Sequence, residues 1–350
     1  LGIEHSGAAF AAVTVSTVTD QVTVADSYLL IHGKRRAVES VGNERTVTFH
    51  NEAGATGKLI VRAYDDGVAF RYQLDGAGRT LRDELTEFSL PAGLAWIQPH
   101  DDPGQFTPAY EARYGNGIAI GAQPEGPSWN LPALFHVRDR WLLLAEADLV
   151  PPGMGVHLSC DADGRYVVVP PEPGEGNGIG EVWPTLTEAW RSPWRVIVVA
   201  ADLAPIVATT LITDLATPSE IDDTTWIHPG RASWSWWSDH DSPQSLPALH
   251  RYIDFAADMG WEHSLVDANW DTHPEEAIRG LVAHGRSRAV GVWLWYNSGG
   301  AHNEVTERPR DRMDDPVVRR AEFAKLAAWG VAGVKVDFFQ SDKPHGIQLI

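Results

Sequence analysis

The stretch that decides the fold lies near the end of the chain and reads Val334-Lys335-Val336-Asp337-Phe338. Its apolar residues, with a glycine before them, predict a short buried strand. Side chains alternate along a strand, so Lys335 and Asp337 share one face, while Val334, Val336 and Phe338 face the covering helices. A lysine and an aspartate together on an apolar strand indicate a polar site at the end of a buried sheet.

Three further strands precede this one, and each is followed by a helical pattern. The predicted strands are Ala232–Trp237, His263–Asp267 and Val290–Tyr296. Strict alternation of strands and helices predicts a parallel sheet joined by right-handed crossovers.

The three predicted helices have recognisable ends and apolar faces. The first spans Ser245–Met259 before Gly260, and its apolar face is Leu249, Tyr252, Ile253 and Ala256. The second opens with the capping-box spacing of Thr272 and Glu275 and stops near Gly285. The third has Asp315 as N-cap, Pro316 at its first position, an apolar face of Phe323, Leu326 and Ala327, and its end at Gly330.

Four such units are either half of a (β/α)8 barrel or the start of a doubly wound sheet. No Gly-rich phosphate fingerprint follows the first strand, which favours the barrel. Four strands alone leave an open edge and an unfilled interior, so we expect the natural chain to continue beyond Ile350. The chain also starts at Leu1 without a Met, so we expect an interior cut and the loss of any targeting segment.

Residues before about position 225 have a different pattern, with many short strands and almost no helical periodicity. Asp65-Asp66-Gly67 predicts a hairpin between two of these strands, and the Pro/Gly-rich residues 170–180 predict a surface loop. Further predicted strands are Gln21–Val24, Thr46–Phe49, Trp141–Leu144, Tyr166–Val169 and Trp194–Ala200. The pattern predicts a β-sandwich over residues 1–225, followed by a truncated (β/α)8 barrel over residues 226–350.

Composition excludes several classes of function. The net charge of −19 is opposite to the basic footprint that nucleic-acid binding requires, and no apolar run is long enough to insert into a membrane. Cys160 is the single cysteine, so no intrachain disulfide can form. The 15 Trp residues can serve as core residues or as stacking surfaces for sugar rings.

Polar residues at strand ends are the candidates for chemistry, because active sites of parallel barrels lie where the strands end. Asp337 beside the Lys335 ammonium is kept ionised, as a covalent glycosidic nucleophile requires. Asp267 and Asn297, with Lys335, are candidates for substrate binding. The alternative is a buried Lys–Asp pair with a purely structural role. His-Glu-x-x-His and Gly-x-Ser-x-Gly motifs are absent from the sequence.

At these residues the sequence resembles glycoside hydrolase family 97, the Ca²⁺-dependent α-glucosidase and α-galactosidase family. The matching stretches include Asp66–Tyr72, Ala145–Leu149, Ser192–Arg195, Asp223–Arg231, Trp234–Trp237, Met259–Glu262, Trp293–Gly300 and Gly333–Lys343. The resemblance implies an N-terminal β-super-sandwich and a (β/α)8 catalytic barrel. It also implies that Asp337 is the nucleophile of a retaining member, because inverting members lack this aspartate.

The same resemblance implies a Ca²⁺ ligand in the N-terminal domain. Glu146 matches the glutamate of the family's His-Glu-Ala motif, although Ala145 stands where histidine is usual. The alternative is a solvated glutamate beside Asp148. The acid/base glutamate and the remaining Ca²⁺ ligands are expected beyond residue 350.

The leading hypothesis is therefore a retaining, exo-acting α-glycosidase of the α-galactosidase or α-glucosidase type, whose substrate is an oligosaccharide or α-glycoside. The alternatives are a non-catalytic carbohydrate-binding protein and an inactive fragment of the hydrolase. The family favours an extracellular or periplasmic location. The oligomeric state is not predicted.

Overall fold

The computed structural model describes residues 2–10 and 12–350 and divides the chain into two compact units. Unit 1 contains the residues up to Asp222 together with 340–348 and Ile350, and unit 2 contains Asp223–Phe339 with Leu349. Among the described residues, no helix combines the length and apolar character that crossing a bilayer demands.

Unit 1 is rich in β-structure, as predicted for the N-terminal part of the chain. Its strands are β1 (Ile3–His5), β2 (Ala8–Ala9), β3 (Thr14–Val18), β4 (Val22–Leu29), β5 (Ala37–His50), β6 (Thr56–Tyr64), β7 (Gly67–Leu74), β8 (Leu81–Glu84), β9 (Glu87–Ser89), β10 (Gly93–Ile97), β11 (Gly115–Ala119), β12 (Ala133–Val137), β13 (Arg140–Ala147), β14 (His157–Cys160), β15 (Arg165–Val169), β16 (Trp190–Arg191) and β17 (Trp194–Ala200). Two short helices follow, α1 (Leu203–Ala208) and α2 (Leu211–Asp214), which the sequence pattern did not reveal.

Most of these strands form one antiparallel sheet of 11 strands, with the order β11-β10-β12-β13-β17-β7-β6-β5-β3 and with β16 and β4 attached to β7 and β5. Two three-stranded sheets, β2-β1-β8 and β14-β15-β9, complete the unit. The predicted hairpin is confirmed, because Tyr64 pairs with Gly67 across the two-residue loop. The strand predicted over Trp194–Ala200 has those bounds in the structure.

The large sheet buries side chains on both faces. Phe70 and Tyr72 of β7 pack in a core that also contains Tyr166 of β15 and Leu81 of β8. Val196 and Val198 of β17 pack with residues of α1 and α2. A strand buried on both faces reads as a continuous apolar run, which explains why the β17 sequence was easy to recognise.

The Pro/Gly-rich segment over residues 170–180 differs from the surface loop that its composition predicts. Pro173, Gly174, Gly178 and Gly180 are exposed, but Pro171, Glu175 and Gly176 are buried. The carboxylate accepts hydrogen bonds from the backbone N–H groups of Glu172 and Asp342. A carboxyl group that is buried away from water requires such hydrogen-bond donors.

Unit 2 alternates strands and helices in the predicted order. Its elements are β18 (Ala232–Trp234), α3 (Leu246–Asp258), β19 (His263–Val266), α4 (Glu275–Ser287), β20 (Gly291–Asn297), α5 (Pro316–Trp329) and β21 (Gly333–Asp337). The strands form a parallel sheet in the order β18-β19-β20-β21. After Phe339 the chain enters unit 1, where most of α6 (Pro344–Leu349) lies.

Several predicted ends in unit 2 are confirmed. Ser245 caps α3 by accepting from Ala248 N, and Asp315 caps α5 by accepting from the N–H groups of Val317 and Val318. The helices α3 and α5 are followed by Gly260 and Gly330, whose φ angles of 63° and 80° suit glycine.

Three details of the helix and strand predictions are wrong. Thr272 does not cap α4, because its hydroxyl donates to Asn269 O and the helix begins after Pro274. The end of that helix, at Ser287, lies near the predicted Gly285. Phe323 and Ala327 of α5 are exposed, and Leu326 is the buried residue of that face. The first strand ends at Trp234, where a 3₁₀ turn over Ser235–Trp237 begins.

Candidate active site

The carboxyl ends of the four parallel strands carry the polar residues predicted from the sequence. Asp337 is the last residue of β21, Asn297 is the last of β20, and Asp267 directly follows β19. Parallel pairing places Asn297 opposite Asp337 in the register. The strand ends therefore bring the candidate residues of unit 2 to one edge of the sheet.

The carboxylate of Asp337 is held by donors on both of its oxygens. Oδ2 accepts from Trp295 Nε1 at 3.0 Å and lies 3.0 Å from Lys335 Nζ. Oδ1 accepts from Phe338 N at 2.9 Å. The side chain is still 34% exposed. These donors orient the carboxylate while leaving part of it accessible.

Lys335 is shared between two carboxylates. Its ammonium lies 3.4 Å from Asp267 Oδ2 as well as 3.0 Å from Asp337 Oδ2, and it sits 4.5 Å from the centre of the Trp234 ring. Trp234 Nε1 donates to Asp267 Oδ2 at 2.6 Å. Asp267 is almost fully buried. The predicted residues Lys335, Asp267 and Asp337 thus form one contiguous cluster in unit 2.

Asn297 has a different environment from the other candidates. It is fully buried, its amide nitrogen donates to Val305 O and Glu307 O, and its amide oxygen accepts from Gly299 N and Asn303 Nδ2. These bonds hold the loop that follows β20. A direct contact between Asn297 and substrate stays a prediction.

The expected orientation of Phe338 is wrong. Its φ of +65° ends the strand, so the alternation of side chains does not continue past Asp337. The Phe338 ring meets the Trp295 ring edge-on at 5.7 Å instead of facing the helices. The alternation along a strand predicts the side of the sheet to which a side chain points only while the backbone stays extended.

Sequence reasoning also missed the aromatic residues that contact the cluster. Trp295 and Trp234 supply the indole donors to Asp337 and Asp267. Trp234 stacks on Trp236 and contacts Trp237, which is 76% exposed. The high tryptophan content was visible in the sequence, but it did not indicate which rings lie at the strand ends.

Glu146 of unit 1 is not the solvated glutamate of the alternative interpretation. Its Oε1 pairs with Arg195 Nη1 and its Oε2 accepts from Val156 N at 3.0 Å, leaving the side chain 13% exposed. Burial raises the pKa of Glu146 to about 7, although Arg195 and the Val156 N–H oppose that shift.

The surroundings of Glu146 fit a hard cation in part. Carboxylate oxygens are the preferred ligands of Ca²⁺. Arg195 is shared with Glu84, so two carboxyl groups face one guanidinium. A cation beside Glu146 would favour its ionised form, but the remaining ligands are not assigned to residues of this chain.

A second polar cluster of unit 1 contains His100, His157 and Asp342, which are close enough to hold a metal ion. Asn130 Nδ2 donates to Gln98, so Asn130 Oδ1 is left to accept from His100 Nδ1 at 2.8 Å. The other ring nitrogen of His100 lies 3.2 Å from a Glu175 carboxylate oxygen.

Both ring nitrogens of His100 therefore face acceptors, which favours the protonated form of its ring. Burial lowers the pKa of His100, but the hydrogen bonds to Glu175 and Asn130 outweigh it and leave the pKa raised. Asp342 Oδ2 accepts from His157 Nε2 at 3.0 Å and from the Tyr110 hydroxyl. The other ring nitrogen of His157, Nδ1, is buried without a hydrogen-bond partner among the described residues.

Comparison with known proteins gives a consistent family assignment for both parts of the chain. The family profile described as "Glycosyl-hydrolase 97 N-terminal" matches residues 1–218, and that described as "Glycoside hydrolase 97" matches residues 226–349. A probable retaining alpha-galactosidase of Streptomyces bingchenggensis is 31% identical over 98% of this chain and 52% of its own length. A retaining alpha-galactosidase of Bacteroides thetaiotaomicron is 27% identical over 80% of this chain and 46% of its own.

Solved structures with the same fold agree with these matches. A crystal structure of a beta-arabinopyranosidase is 31% identical with a TM-score of 0.92, covering 100% of this chain and 57% of that one. A glycoside hydrolase family 97 enzyme from a Pseudoalteromonas species, in complex with acarbose, is 21% identical with a TM-score of 0.77, covering 100% and 58%. The chain spans about half the length of the curated relatives it matches.

Proposed function

The chain belongs to glycoside hydrolase family 97, and from that premise we propose that it carries the nucleophile, Asp337, of a retaining exo-acting α-glycosidase. The proposed architecture is a β-super-sandwich over residues 1–225 and the first four units of a (β/α)8 barrel over residues 226–350. The order of the four parallel strands supports the barrel, because consecutive right-handed units are how such a barrel begins.

The observation that carries the proposal is the carboxylate of Asp337. It stands at the carboxyl end of the parallel strand β21, where active sites of parallel barrels lie, and three donors orient it. A nucleophile must be held in a fixed orientation towards the anomeric carbon, which these donors provide.

In the proposed reaction an Asp337 carboxylate oxygen attacks the anomeric carbon of the terminal sugar. The bond to the leaving oxygen breaks, and that oxygen takes a proton from an acid that the proposal does not assign to this chain. Water then attacks the same carbon of the glycosyl ester and gives up a proton to the group that served as the acid. This step releases the sugar with its configuration retained and frees the Asp337 carboxylate. Lys335 and Trp295 stabilise the carboxylate before attack and after release.

For the sugar, the names of the relatives favour galactose over glucose. Two relatives are named retaining alpha-galactosidase, and the solved structure at 31% identity is named beta-arabinopyranosidase. A β-L-arabinopyranose ring has the configuration of an α-D-galactopyranose ring without its exocyclic hydroxymethyl group. A site that binds one of these rings can therefore bind the other, unless side chains of the site contact the hydroxymethyl group.

For the metal, the proposal assigns Glu146 as a Ca²⁺ ligand. Glu146 is buried, and it shares the guanidinium of Arg195 with a second carboxyl group, that of Glu84. Both observations support the assignment. A non-catalytic sugar-binding role is not favoured, because the curated relatives are named as hydrolases.

The nucleophile is tested with the Asp337→Ala variant of the full natural protein. We expect turnover of an activated aryl α-galactoside to fall by roughly 10⁴-fold or more, since the covalent route is lost. Azide should restore part of the activity and give the β-galactosyl azide. An activated fluoro-galactoside should label the wild-type protein at Asp337.

The matched control is Asp258→Ala, which removes an exposed carboxylate of α3 that pairs with Arg288. This variant should retain wild-type turnover. Near-normal turnover in Asp337→Ala, or labelling at a different residue, would refute the assignment. Measuring the aryl β-L-arabinopyranoside and α-glucoside alongside decides between the candidate sugars.

A further inference from the structure

The backbone adopts a strained conformation immediately after the proposed nucleophile. Phe338 has φ +65°, the left-handed region that bulky residues rarely occupy. Such conformations persist only when the surrounding structure enforces them, and they concentrate at functional sites. The residues that hold Phe338 in place are therefore of functional interest.

Two side chains from the loop after β20 converge on the carbonyl oxygen of Phe338. Ser298 Oγ donates to it at 2.9 Å, and Asn303 Nδ2 donates to it at 3.0 Å. The preceding carbonyl is held as well, because Ser298 N donates to Asp337 O at 2.8 Å. The carbonyl groups on both sides of the left-handed residue are thus fixed by one loop.

The orientation of the Asn303 amide is itself determined by its neighbours. Its Oδ1 accepts from Arg310 Nη1 at 2.8 Å and from Val305 N at 3.2 Å, so Nδ2 must be the atom that faces Phe338 O. Nδ2 also donates to Asn297 Oδ1 at 3.0 Å. Asn303 is 3% exposed, so water does not compete for these bonds.

The geometry points to a positioning role for Asn303 and Ser298: by holding the left-handed turn at Phe338, they orient the carboxylate of Asp337 for attack. The link is the peptide group between Asp337 and Phe338, whose carbonyl accepts from Ser298 N and whose N–H donates to Asp337 Oδ1. Relaxation of the strained φ would turn this peptide and remove that donor. The inference rests on the proposed function, since it concerns the same nucleophile.

The variant that isolates this role is Asn303→Asp. The replacement has the same shape and keeps an acceptor for Arg310 and Val305, but it places an oxygen where the donor to Phe338 O was. We expect kcat on the aryl α-galactoside to fall by roughly 10-fold to 100-fold, because a small misplacement of a reacting group has that effect. Inhibition by free galactose should change less than kcat, because Asn303 takes no part in the hydrogen bonds and ion pairs of Lys335 and Asp267.

A double-mutant cycle with Phe338→Gly tests the cause. Glycine adopts the left-handed conformation without strain, so the turn no longer depends on the two side chains that hold it. Any loss of kcat from removing the phenyl ring is present in Phe338→Gly both with and without Asn303→Asp, so it cancels in the comparison. In the Phe338→Gly background, Asn303→Asp should lower kcat by less than about 3-fold.

The stability control is Ser264→Ala, which removes a buried hydroxyl bonded to Ser233 in the same parallel sheet. It should lower the melting temperature without reproducing the loss of kcat. The positioning role would be overturned if Asn303→Asp lowered kcat equally in the wild-type and the Phe338→Gly backgrounds, or if Ser264→Ala lowered kcat as much. If Asp337→Ala stays active, the proposed function is wrong. If Asp337→Ala is inactive and Asn303→Asp is fully active, only the positioning role of Asn303 and Ser298 is wrong.

Discussion

Arg195 is the residue whose removal should destabilise unit 1 most clearly. Its guanidinium donates to both oxygens of Glu84, at 2.8 and 2.6 Å, and also pairs with Glu146. The side chains of Arg195 and Glu84 are 2% and 1% exposed. Arg195→Met keeps the aliphatic volume, but it leaves two carboxylates in the interior without a cation.

The expected loss in the free energy of unfolding is about 3–5 kcal/mol at neutral pH, the usual result of breaking a buried ion pair on one side. Arg165 provides a matched control, since it also pairs with two carboxylates, Asp161 and Glu87, but is 53% exposed. Solvent screens exposed ion pairs, so Arg165→Met should have little effect on the free energy of unfolding.

The loss should also depend on pH in a defined direction. The pKa of Glu146 is about 7 even with Arg195 present, and in Arg195→Met burial acts without that opposition. The folded variant then binds more protons than the unfolded chain, whose glutamates titrate near about 4.3. The stability of the variant is therefore greatest below that pH and is lost as the pH rises through the folded pKa of Glu146, which lies above its wild-type value of about 7.

The assay is native-state hydrogen exchange of the β13 and β17 amides, because Glu146 and Arg195 are paired across these strands. A chelator in the buffer keeps bound metal from adding its own stabilisation. The reasoning is refuted if Arg195→Met costs as little as Arg165→Met. It is also refuted if the penalty is the same at about pH 5 and about pH 8.

Two further predictions concern unit 1. Glu146→Gln should weaken Ca²⁺ binding measured by calorimetry, and a chelator should lower the activity of the wild-type enzyme; an unchanged Ca²⁺ affinity would remove Glu146 from the site. His100 has a raised pKa in the folded protein, so its pairing with Glu175 stabilises the protein fully below about pH 6.5 and less as the pH rises through the folded pKa. The difference in urea midpoint between wild type and His100→Gln should accordingly shrink from acidic to alkaline pH, and a difference that grows would contradict the assignment of His100 as the cation.

Local patterns in the sequence were sufficient for the strands and long helices of unit 2 and for some of the strands of unit 1. The continuous apolar run of β17 and the two-residue turn between β6 and β7 each have a short-range physical cause, and both predictions are confirmed. The caps of α3 and α5 are also local features. The cap of α4 was predicted wrongly because Thr272 bonds to Asn269 in a preceding turn instead.

The residues at the candidate site were predictable only in part. Lys335 and Asp337 could be paired from strand alternation, because two residues on the same strand face are neighbours whatever the rest of the chain does. Asp267 joins them through the parallel register of β19, β20 and β21, which the alternation of strands and helices already implied.

The sequence by itself determined the β-rich and the alternating parts of the chain and the candidate nucleophile at the end of β21. Only the tertiary structure decided which donors hold that carboxylate: the Trp295 indole, and the Phe338 N–H in a left-handed turn that Ser298 and Asn303 enforce. The same holds for the burial of Glu175 against His100. Periodicity follows from bonds between neighbours in the chain. Apart from the bond between Phe338 and Asp337, these contacts join residues tens of positions apart, and their geometry exists only once the strands and loops have packed.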